Sequence, residues 1–290
     1  MDISIIIVNY NAKKLLKDCL KSVQIACKGI DYEIWVVDNN SNDGSIKMLN
    51  ENFLNINLIQ NKENVGFSIA NNKALKNVKG QNILILNPDT ILNKDTIKNC
   101  LKFMRKNEKC GAIGVQMTNL EGKFLPESKR GFPTAWASFC KLSKLNYVFH
   151  KSKIFNSYHL GHLDKDQNHS VEILAGAFML IRKNVLDKTG FFDEDFFMYG
   201  EDIDLSKRIL NSGWENWYLG TEKIFHYKGG STNKLSKEYV KHFYNAMYIF
   251  CKKYNPKISS LYFILINIIK MIHILKIYLI KIITKNESAE

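Results

Sequence analysis

Three carboxylates occupy four consecutive positions, Glu201, Asp202 and Asp204, directly after the aromatic segment 196–199. Carboxylates crowded beside apolar groups repel one another, and burial raises their pKa values. A fold tolerates such a cluster where a carboxylate must act as a base or face a cation or a substrate hydroxyl. An acidic first helical turn, stabilised by the helix dipole, is the competing structural interpretation. Two other polar motifs, at 86–89 and 226–231, favour the chemical interpretation.

The polar residues of these motifs suit the binding of a diphosphate. Asp89 follows a predicted strand and could hold a divalent cation, since Mg²⁺ uses one or two protein carboxylates and leaves its other positions to phosphate and water. Asp38, after a neighbouring strand, could accept a hydrogen bond from a base ring N–H, and Asp202 could deprotonate a hydroxyl. His226 could be a metal ligand, a diphosphate contact or a structural residue. The turn 229–231, Gly-Gly-Ser, could hold phosphate with its backbone N–H groups.

Alternating apolar strand patterns and helical patterns predict a βαβ sheet over the first 115 residues. Strands are expected at 3–8, 33–37, 56–59, 83–86 and 111–115, with helices capped by Asn11 and at 70–78 and 95–106. Polar clusters follow three of these strands, at 9–11, 38–45 and 87–89. The carboxyl ends of parallel strands line the ligand crevice of such sheets, so we expect these clusters at one edge, although ordinary loop chemistry gives a similar composition. Further along, 171–181 is typical of a strand and 202–210 of a helix, while 116–170 shows no regular pattern.

Taken in order, the motifs resemble those of inverting family-2 glycosyltransferases with the GT-A fold, close to the bacterial rhamnosyltransferase branch. The resemblance covers residues 3–231, and each motif alone is moderately specific, whereas the ordered set is strong. The motifs lie at 6–11 (IIVNYN), 36–45 (VVDNNSNDGS), 64–67 (NVGF), 86–90 (LNPDT), 176–178 (GAF), 190–194 (GFFDE), 197–205 (FMYGEDIDL) and 226–231 (HYKGGS).

This resemblance implies an α/β fold in which helices flank a mixed or mostly parallel nucleotide-binding sheet. Asp202, with Glu201 beside it, corresponds to the catalytic base motif, while Asp89 and His226 correspond to the metal site for Mg²⁺ or Mn²⁺. One departure is that the usual DxD motif reads Asn87-Pro88-Asp89 and keeps a single carboxylate. Donor binding is implied for Asn9, Tyr10, Asn11, Asp38, Asn40, Asn64, Gly66, Asn87, Asp89, Gly176 and Ala177, with Tyr10 and Asp38 at the base.

The implied reaction transfers a sugar, rhamnose or a similar hexose, from a dTDP- or UDP-linked donor to a hydroxyl of a cell-surface glycan or lipid-linked saccharide. Two alternatives stay open, a sugar-nucleotide nucleotidyltransferase and an inactive membrane-surface glycan-binding module. The first should show a Gly- and Arg-rich loop where this chain has Asn9-Tyr10-Asn11, and the second need not keep Asp89, Asp202 and His226 together. A dinucleotide-binding enzyme is disfavoured because no GxGxxG follows the first strand.

Composition limits the partners and the compartment. With 46% hydrophobic residues the chain can bury a full core, and its six cysteines form no CxxC pair, which predicts free thiols in a reducing compartment. The N-terminus runs directly into a strand pattern without a basic region, so we expect no signal peptide. The net charge of +13 implies an anionic partner, yet nucleic acid is not expected, since no nucleic-acid-binding motif is visible.

The C-terminal region carries much of this charge. Residues 234–290 hold ten Lys and three Glu, and thus seven of the thirteen net positive charges. The segment 258–283 is almost wholly apolar, with Asn267, Lys270, His273 and two further lysines inside it. Lysines at mid-segment argue against a simple membrane span and favour an amphipathic helix on an anionic membrane surface, with a helix packed on the body as the alternative. We therefore predict a cytoplasmic enzyme, peripheral at the inner face of the membrane. Its expected domains are a catalytic domain at 1–232, divided at 115 into donor and acceptor halves, and a basic extension at 233–290.

Overall fold

The computed structural model describes residues 1–227 and 236–287, and the predicted turn at 229–231 lies outside them. Within these ranges nine strands form one sheet in the order β3-β2-β1-β4-β8-β6-β9-β5, with β7 also paired to β9. The strands are β1 Ile3–Asn9, β2 Tyr32–Asp38, β3 Asn57–Gln60, β4 Asn82–Leu86, β5 Thr90–Leu92, β6 Cys110–Thr118, β7 Asn168–Val171, β8 Phe178–Arg182 and β9 Glu215–His226.

Ten α-helices accompany these strands in the described ranges. They are α1 Lys13–Ala26, α2 Ser45–Asn52, α3 Gly66–Leu75, α4 Thr96–Lys106, α5 Ala135–Leu142, α6 Leu145–Val148, α7 Lys183–Thr189, α8 Glu201–Asn211, α9 Lys237–Tyr254 and α10 Ser259–Glu287. Short 3-10 turns lie at Pro126–Ser128 and Pro256–Ile258. The mixed sheet with flanking helices and an apolar C-terminal helix confirms the predicted fold class.

The sheet is parallel at one end and mixed at the other. Strands β3, β2, β1 and β4 run parallel, as the βαβ pattern predicts. Strand β8 then pairs antiparallel with both β4 and β6, and β9 joins β6 in parallel. Strand β6 therefore does not extend the parallel half: strands from both halves of the sequence build one continuous sheet.

The core lies on both faces of this sheet. Along β1, Ile3, Ile5 and Ile7 face one hydrophobic cluster and Ile6 faces the other, and all four are fully buried. Alternate side chains of a strand point to opposite faces, so a continuous apolar run is what a sheet covered on both sides requires. Each fully buried isoleucine of this kind contributes about 1.5–3 kcal/mol relative to an exposed one.

The prediction of one strand over 171–181 is wrong. Strand β7 ends at Val171 and β8 begins at Phe178, and they pair with different neighbours, β9 and β4. Residues 172–177 cross between the strands without belonging to either. The segment is apolar because it is buried, and a short buried apolar segment carries no periodicity that distinguishes a strand from a connection.

Helix α9 packs on the segment that precedes α8. Phe196 is fully buried against Ala246 and Phe250 of α9, and the rings of Phe197 and His242 stack with centroids 4.2 Å apart. Residues 237–254 of the predicted basic extension therefore contact the segment that leads into α8, while the domain boundary near residue 232 stays a prediction.

Helix α10 packs along α9 through one side and exposes an apolar side. Ile266 and Ile277 are buried with Tyr244 of α9, and the Tyr244 hydroxyl lies 3.2 Å from His273 Nδ1. The outward side chains are mostly large and apolar, and only 6% of the most apolar 18-residue window is buried. By length and composition Pro256–Tyr278 could cross a membrane, but a single helix of this kind is weak evidence for a membrane span. Asn267, Lys270 and His273 are half-buried, so the predicted polar side is turned toward α9 and the apolar side outward.

Candidate active site

The carboxyl ends of β1 and β2 form a hydrogen-bonded network of predicted donor-binding residues. Asn9 and Asp38 are partners in the strand register, both are buried, and Asn9 Nδ2 donates to Asp38 Oδ1 at 2.8 Å. Asp38 Oδ2 accepts from the Ser41 backbone N–H at 2.8 Å. Ser41 Oγ accepts from Asn9 Nδ2 and from the Asn11 backbone N–H. Tyr10 projects beside this network with 48% of its surface exposed, as a side chain available for stacking would.

Two asparagines of this edge adopt left-handed backbone conformations. Asn11 has φ 51° and Asn40 has φ 64°, a region that asparagine tolerates better than most residues. The prediction that Asn11 caps α1 is wrong, because Ala12 precedes the helix and no side chain caps it. Asn11 Oδ1 instead accepts from the Asn42 backbone N–H at 2.8 Å. Its side chain thus ties the loop after β1 to the loop after β2.

The loop after β3 connects this network to the segment before α8. Buried Asn39, which the sequence interpretation did not single out, donates through Nδ2 to Asn64 Oδ1 and the Gly66 carbonyl. Gly66 has φ +85°, and a Cβ there would lie 2.4 Å from the Phe197 carbonyl oxygen. That oxygen accepts from the Phe67 N–H at 2.7 Å. Only glycine fits at this position, which explains its place in the motif.

The predicted metal residues are brought together by the pairing of β5 with β9. Thr90 and His226 are register partners, and the Tyr227 N–H donates to the Asp89 carbonyl at 2.8 Å. His226 Nε2 lies 3.2 Å from Asp89 Oδ1. Asp89 is 5% exposed, and apart from this ion-pair contact its Oδ1 has no hydrogen-bond partner among the described residues. Buried polar atoms normally have partners, so Asp89 Oδ1, with His226 Nε2 beside it, suits a cation.

The described residues supply no group of three or more His, Cys, Asp and Glu side chains that could hold a metal by themselves. A cation at Asp89 and His226 would therefore need oxygen ligands from a bound molecule or water. The Asp89 carboxylate fits a divalent cation such as Mg²⁺, which is commonly held by one or two carboxylates together with substrate phosphates.

Asp202 is held by three hydrogen bonds from different parts of the chain. Arg130 Nη2 donates to Asp202 Oδ2 at 2.5 Å, the Gly176 N–H donates to the same oxygen at 3.2 Å, and the Ile203 N–H donates to Oδ1 at 2.8 Å. Arg130 Nη2 also donates to the Leu174 carbonyl at 2.8 Å. The Asp202 side chain is 14% exposed, so it is fixed in orientation and remains open to a small reactant.

Arg130 belongs to the stretch 116–170, in which no motif was found, and was missed. Burial acts to lower its pKa, but the charge of Asp202 and the contact with Tyr158 raise it above its ordinary value. A signal was present, because only four of the 41 basic residues are arginines. Arg182 and Arg208 likewise donate to several acceptors each. In a lysine-rich chain, an arginine therefore indicates a position where one planar guanidinium group donates to several acceptors.

Glu201, predicted as catalytic together with Asp202, is in a different environment. It is 7% exposed, and its Oε2 has no hydrogen-bond partner among the described residues. Burial, and then the neighbouring charge of Asp202, raise the pKa of Glu201 to about 8. Glu201 is therefore mainly protonated at neutral pH and adds little charge beside Asp202.

Asp204, the third carboxylate, connects α8 to α9. It is fully buried and accepts from Arg208 Nε at 2.8 Å and from the Tyr254 hydroxyl at 2.7 Å, with Lys253 Nζ 2.7 Å away. Burial acts to raise the pKa of Asp204, but the hydrogen bonds from Lys253 and Tyr254 and the charge of Arg208 bring it below its ordinary value. Its role is structural.

Residues 176 and 177 join the loop of Asp89 to Asp202. The Gly176 N–H donates to Asp202, and the Ala177 carbonyl accepts from the Asn87 N–H at 3.0 Å. Asn87 begins the loop that leads to Asp89. The predicted residues thus meet in contacting groups along one edge of the sheet, while the side chains of Tyr10 and Asn40 point to solvent. Two possible metal ligands and a fixed carboxylate suit group transfer between a diphosphate and a hydroxyl.

Comparison with known proteins agrees with this geometry. The sequence model of Glycosyl transferase family 2 matches residues 4–190. The N-acetylglucosaminyl-diphospho-decaprenol L-rhamnosyltransferase of Mycobacterium tuberculosis is 24% identical over 257 residues, which cover 85% of this chain and 82% of that protein.

Solved structures show the same fold. The crystal structure of S. aureus TarS 1–349 in complex with UDP-GlcNAc superposes with a TM-score of 0.58 at 19% identity and covers 86% of this chain, which spans 65% of that one. The mannosyltransferase PcManGT from Pyrobaculum calidifontis, in complex with GDP-Man and Mn²⁺, gives a TM-score of 0.58 at 15% identity, covering 95% of this chain and 72% of its own. The chain belongs to glycosyl transferase family 2, and is a GT-A glycosyltransferase similar to the rhamnosyltransferases of that family.

Proposed function

We propose that this enzyme transfers rhamnose or a similar hexose from a dTDP- or UDP-linked donor to a hydroxyl of a lipid-linked saccharide or cell-surface glycan, with inversion. The observation that carries the proposal is the fixed Asp202 carboxylate, linked through residues 176–177 to the loop of Asp89. A base and a diphosphate site on one rigid connection are what a single displacement requires. The naming of the M. tuberculosis relative as an L-rhamnosyltransferase acting on a diphospho-decaprenol supports the choice of sugar and acceptor.

Asp202 would act as the general base. It would take the proton of the acceptor hydroxyl as that oxygen forms its bond to the anomeric carbon, while the bond from this carbon to the diphosphate breaks on the opposite side. Arg130 and the N–H groups of Gly176 and Ile203 keep the carboxylate in one orientation, so little is lost to reorganisation during the reaction. Protonated Glu201 keeps a second negative charge away from the base.

Asp89 and His226 would hold Mg²⁺ or Mn²⁺, and the PcManGT complex with Mn²⁺ supports a divalent cation in this fold. The bound cation would neutralise charge that develops on the leaving diphosphate. Asp89 is buried and fixed by the β5–β9 pairing, so its carboxylate would need little movement to bind.

The donor's base would lie at the edge formed by β1 and β2. Each Asp38 oxygen accepts one hydrogen bond in the structure and retains a lone pair for a base N–H. Tyr10 could stack on the ring. The other proposed donor contacts are Asn9, Asn11, Asn40, Asn64, Gly66, Asn87, Gly176 and Ala177.

A cytoplasmic location at the inner membrane face, with segment 258–283 on an anionic surface, would bring the enzyme to a lipid-linked acceptor.

A screen of nucleoside-diphosphate sugars with Mn²⁺ tests this proposal. A donor at about 100 times its Kd should stabilise the fold by roughly 2.7 kcal/mol, so the melting temperature should rise with dTDP-rhamnose or a related donor and less with the free sugar. Release of the nucleoside diphosphate on adding acceptor would then report transfer. Stabilisation by nucleoside triphosphates with release of pyrophosphate would instead indicate a nucleotidyltransferase.

A further inference from the structure

An exposed patch of aromatic and basic residues lies on the catalytic body, in a part of the sequence distinct from α10. Thirteen large hydrophobic residues are markedly exposed in the described chain before residue 256, and six of them fall within nineteen positions. These six are Trp136, Phe139, Tyr147, Val148, Phe149 and Ile154, between 46% and 82% exposed. Scattered apolar side chains are normal on a surface, whereas a concentrated group marks an interaction site.

Contacts join Trp136, Phe139, Phe149 and Ile154, and Tyr147 and Val148 directly precede Phe149 in the chain. We name these six residues the 136–154 patch. The rings of Trp136 and Phe139 stack with centroids 5.6 Å apart, and Phe155 contacts both Trp136 and Phe149 at 6.0 and 4.9 Å. Trp136 Nε1 donates to the Ile154 carbonyl at 3.1 Å, which joins the two ends of the segment. The patch is therefore an ordered part of the fold.

The charge of this region is of one sign. Residues 128–163 contain no Asp or Glu, and Lys141, Lys144, Lys151 and Lys153 are all exposed. Exposed aromatic side chains surrounded by lysines match the interface of an anionic bilayer, where rings insert at headgroup level and lysines face lipid phosphates. Aliphatic Val148 and Ile154 favour a bilayer over a saccharide, which stacks on rings alone.

The segment that carries the patch begins and ends beside Arg130, which donates to the proposed base Asp202. The Gly131 N–H donates to the Tyr158 carbonyl at 2.8 Å, so the excursion from 131 to 158 leaves and returns beside Arg130. Lys207 Nζ of α8 lies over the rings of both Phe132 and Tyr254, at 5.3 and 4.0 Å from their centroids. The patch segment therefore begins close to the C-terminal end of α9, after which α10 follows.

We propose that the 136–154 patch is a second membrane-binding surface, which docks the catalytic body on an anionic bilayer independently of α10. Two contacts fix the orientation of a body that one helix alone would leave free to rotate. The consequence for catalysis, that the acceptor side of Asp202 faces the headgroups, rests on the proposed lipid-linked acceptor, but the docking itself does not.

Vesicle binding by the full chain tests the proposal. Each lysine near an anionic surface contributes about fivefold in affinity, so Lys144→Gln/Lys151→Gln should weaken binding to phosphatidylglycerol-containing vesicles by about 10–25-fold and change binding to phosphatidylcholine vesicles little. The matched control, Lys21→Gln/Lys47→Gln, removes two exposed lysines elsewhere and should bind within about threefold of wild type, as one expects when charges lie beyond the screening length of the surface. Equal weakening by both pairs would indicate general electrostatic attraction and overturn the proposal.

Fluorescence quenching gives a second readout, which reports directly on insertion of the patch. Brominated lipids should quench tryptophan emission of the full chain, and Trp136→Phe should remove most of that quenching. Undiminished quenching in the variant would contradict the proposal. Nucleotide-sugar binding and transfer to a water-soluble acceptor should be unchanged in Lys144→Gln/Lys151→Gln; a raised KM for that acceptor, with vesicle binding intact, would assign the patch to the saccharide instead.

Discussion

Arg130 Nη2 lies 2.5 Å from Asp202 Oδ2 and joins a segment without a recognised motif to the proposed catalytic base. The same nitrogen donates to the Leu174 carbonyl, so the guanidinium is itself held by the connection between β7 and β8. We interpret Arg130 as a positioning residue that acts through Asp202.

Replacing Arg130 should therefore lower turnover more than donor affinity. Arg130→Gln should reduce kcat by about 10–100-fold, as expected when a base loses its orientation, with little change in the KM for the donor. Arg130→Lys keeps the charge and should recover part of the loss. Steady-state kinetics separate the two constants, and the melting temperature shows whether the fold survives. An increase in the donor KM with unchanged kcat would assign Arg130 to donor binding.

Glu201 should make stability depend on pH. Its folded pKa of about 8 is above the ordinary value of 4.5, so between these values the folded state binds more protons than the unfolded state. The free energy of unfolding should then fall as pH rises from about 5 to 8. Glu201→Gln, which cannot ionise, should show a flatter profile over this range. Urea unfolding at several pH values measures both proteins, and parallel profiles would show that folding does not raise the pKa of Glu201.

Removal of Asp89 should weaken donor binding in a metal-dependent way. Asp89→Ala leaves His226 without its carboxylate neighbour, so diphosphate charge would be poorly neutralised. Isothermal titration of the donor should show a gain in affinity with Mn²⁺ for the wild type and a much smaller gain for Asp89→Ala. Activity of the wild type should be lost in excess EDTA and restored by Mn²⁺. Full activity in EDTA would contradict a metal role for both Asp89 and His226.

Truncation after Asn255 should separate catalysis from most membrane binding. The truncated chain keeps α9 and its contacts from Lys253 and Tyr254 to Asp204, so it should fold and transfer sugar to a water-soluble acceptor. It loses the outward apolar side of α10, and co-sedimentation with anionic vesicles should fall sharply. Residual binding should depend on Lys144 and Lys151. A truncated protein that unfolds would show that α10 stabilises the core, and one that sediments like the full chain would exclude α10 from membrane contact.

The parallel half of the fold was predictable because β1 and β4 are buried on both faces and because polar clusters follow β1, β2 and β4. Strands β5 and β9 were missed for a physical reason. Residues 215–226 mix charged, aromatic and apolar side chains, because β9 bends and pairs with β6, β7 and β5 along its length. No single periodicity describes such a strand, although it positions His226 against Asp89.

The candidate site shows a similar division. Asp202, Asp89 and Asp38 stand in polar motifs whose residue types indicate their chemistry. Arg130, in contrast, contacts Asp202 from 72 residues away in the sequence, and no local pattern indicates that contact. The three carboxylates of 201–204 also could not be told apart from their spacing. Their roles depend on their surroundings. Glu201 is buried with its Oε2 unpaired among the described residues, Asp202 contacts Arg130, and Asp204 contacts Arg208 and Lys253.

The most direct test of the account is the transfer reaction of Asp202→Asn, followed by NMR of the anomeric proton. The wild type should give a product whose anomeric configuration is opposite to that of the donor. Asp202→Asn should bind the donor with nearly wild-type affinity by isothermal titration, yet turn over about 10²–10⁴-fold more slowly. A product that retains the donor's configuration, or near-wild-type turnover by Asp202→Asn, would contradict the assignment of Asp202 as the base of an inverting displacement.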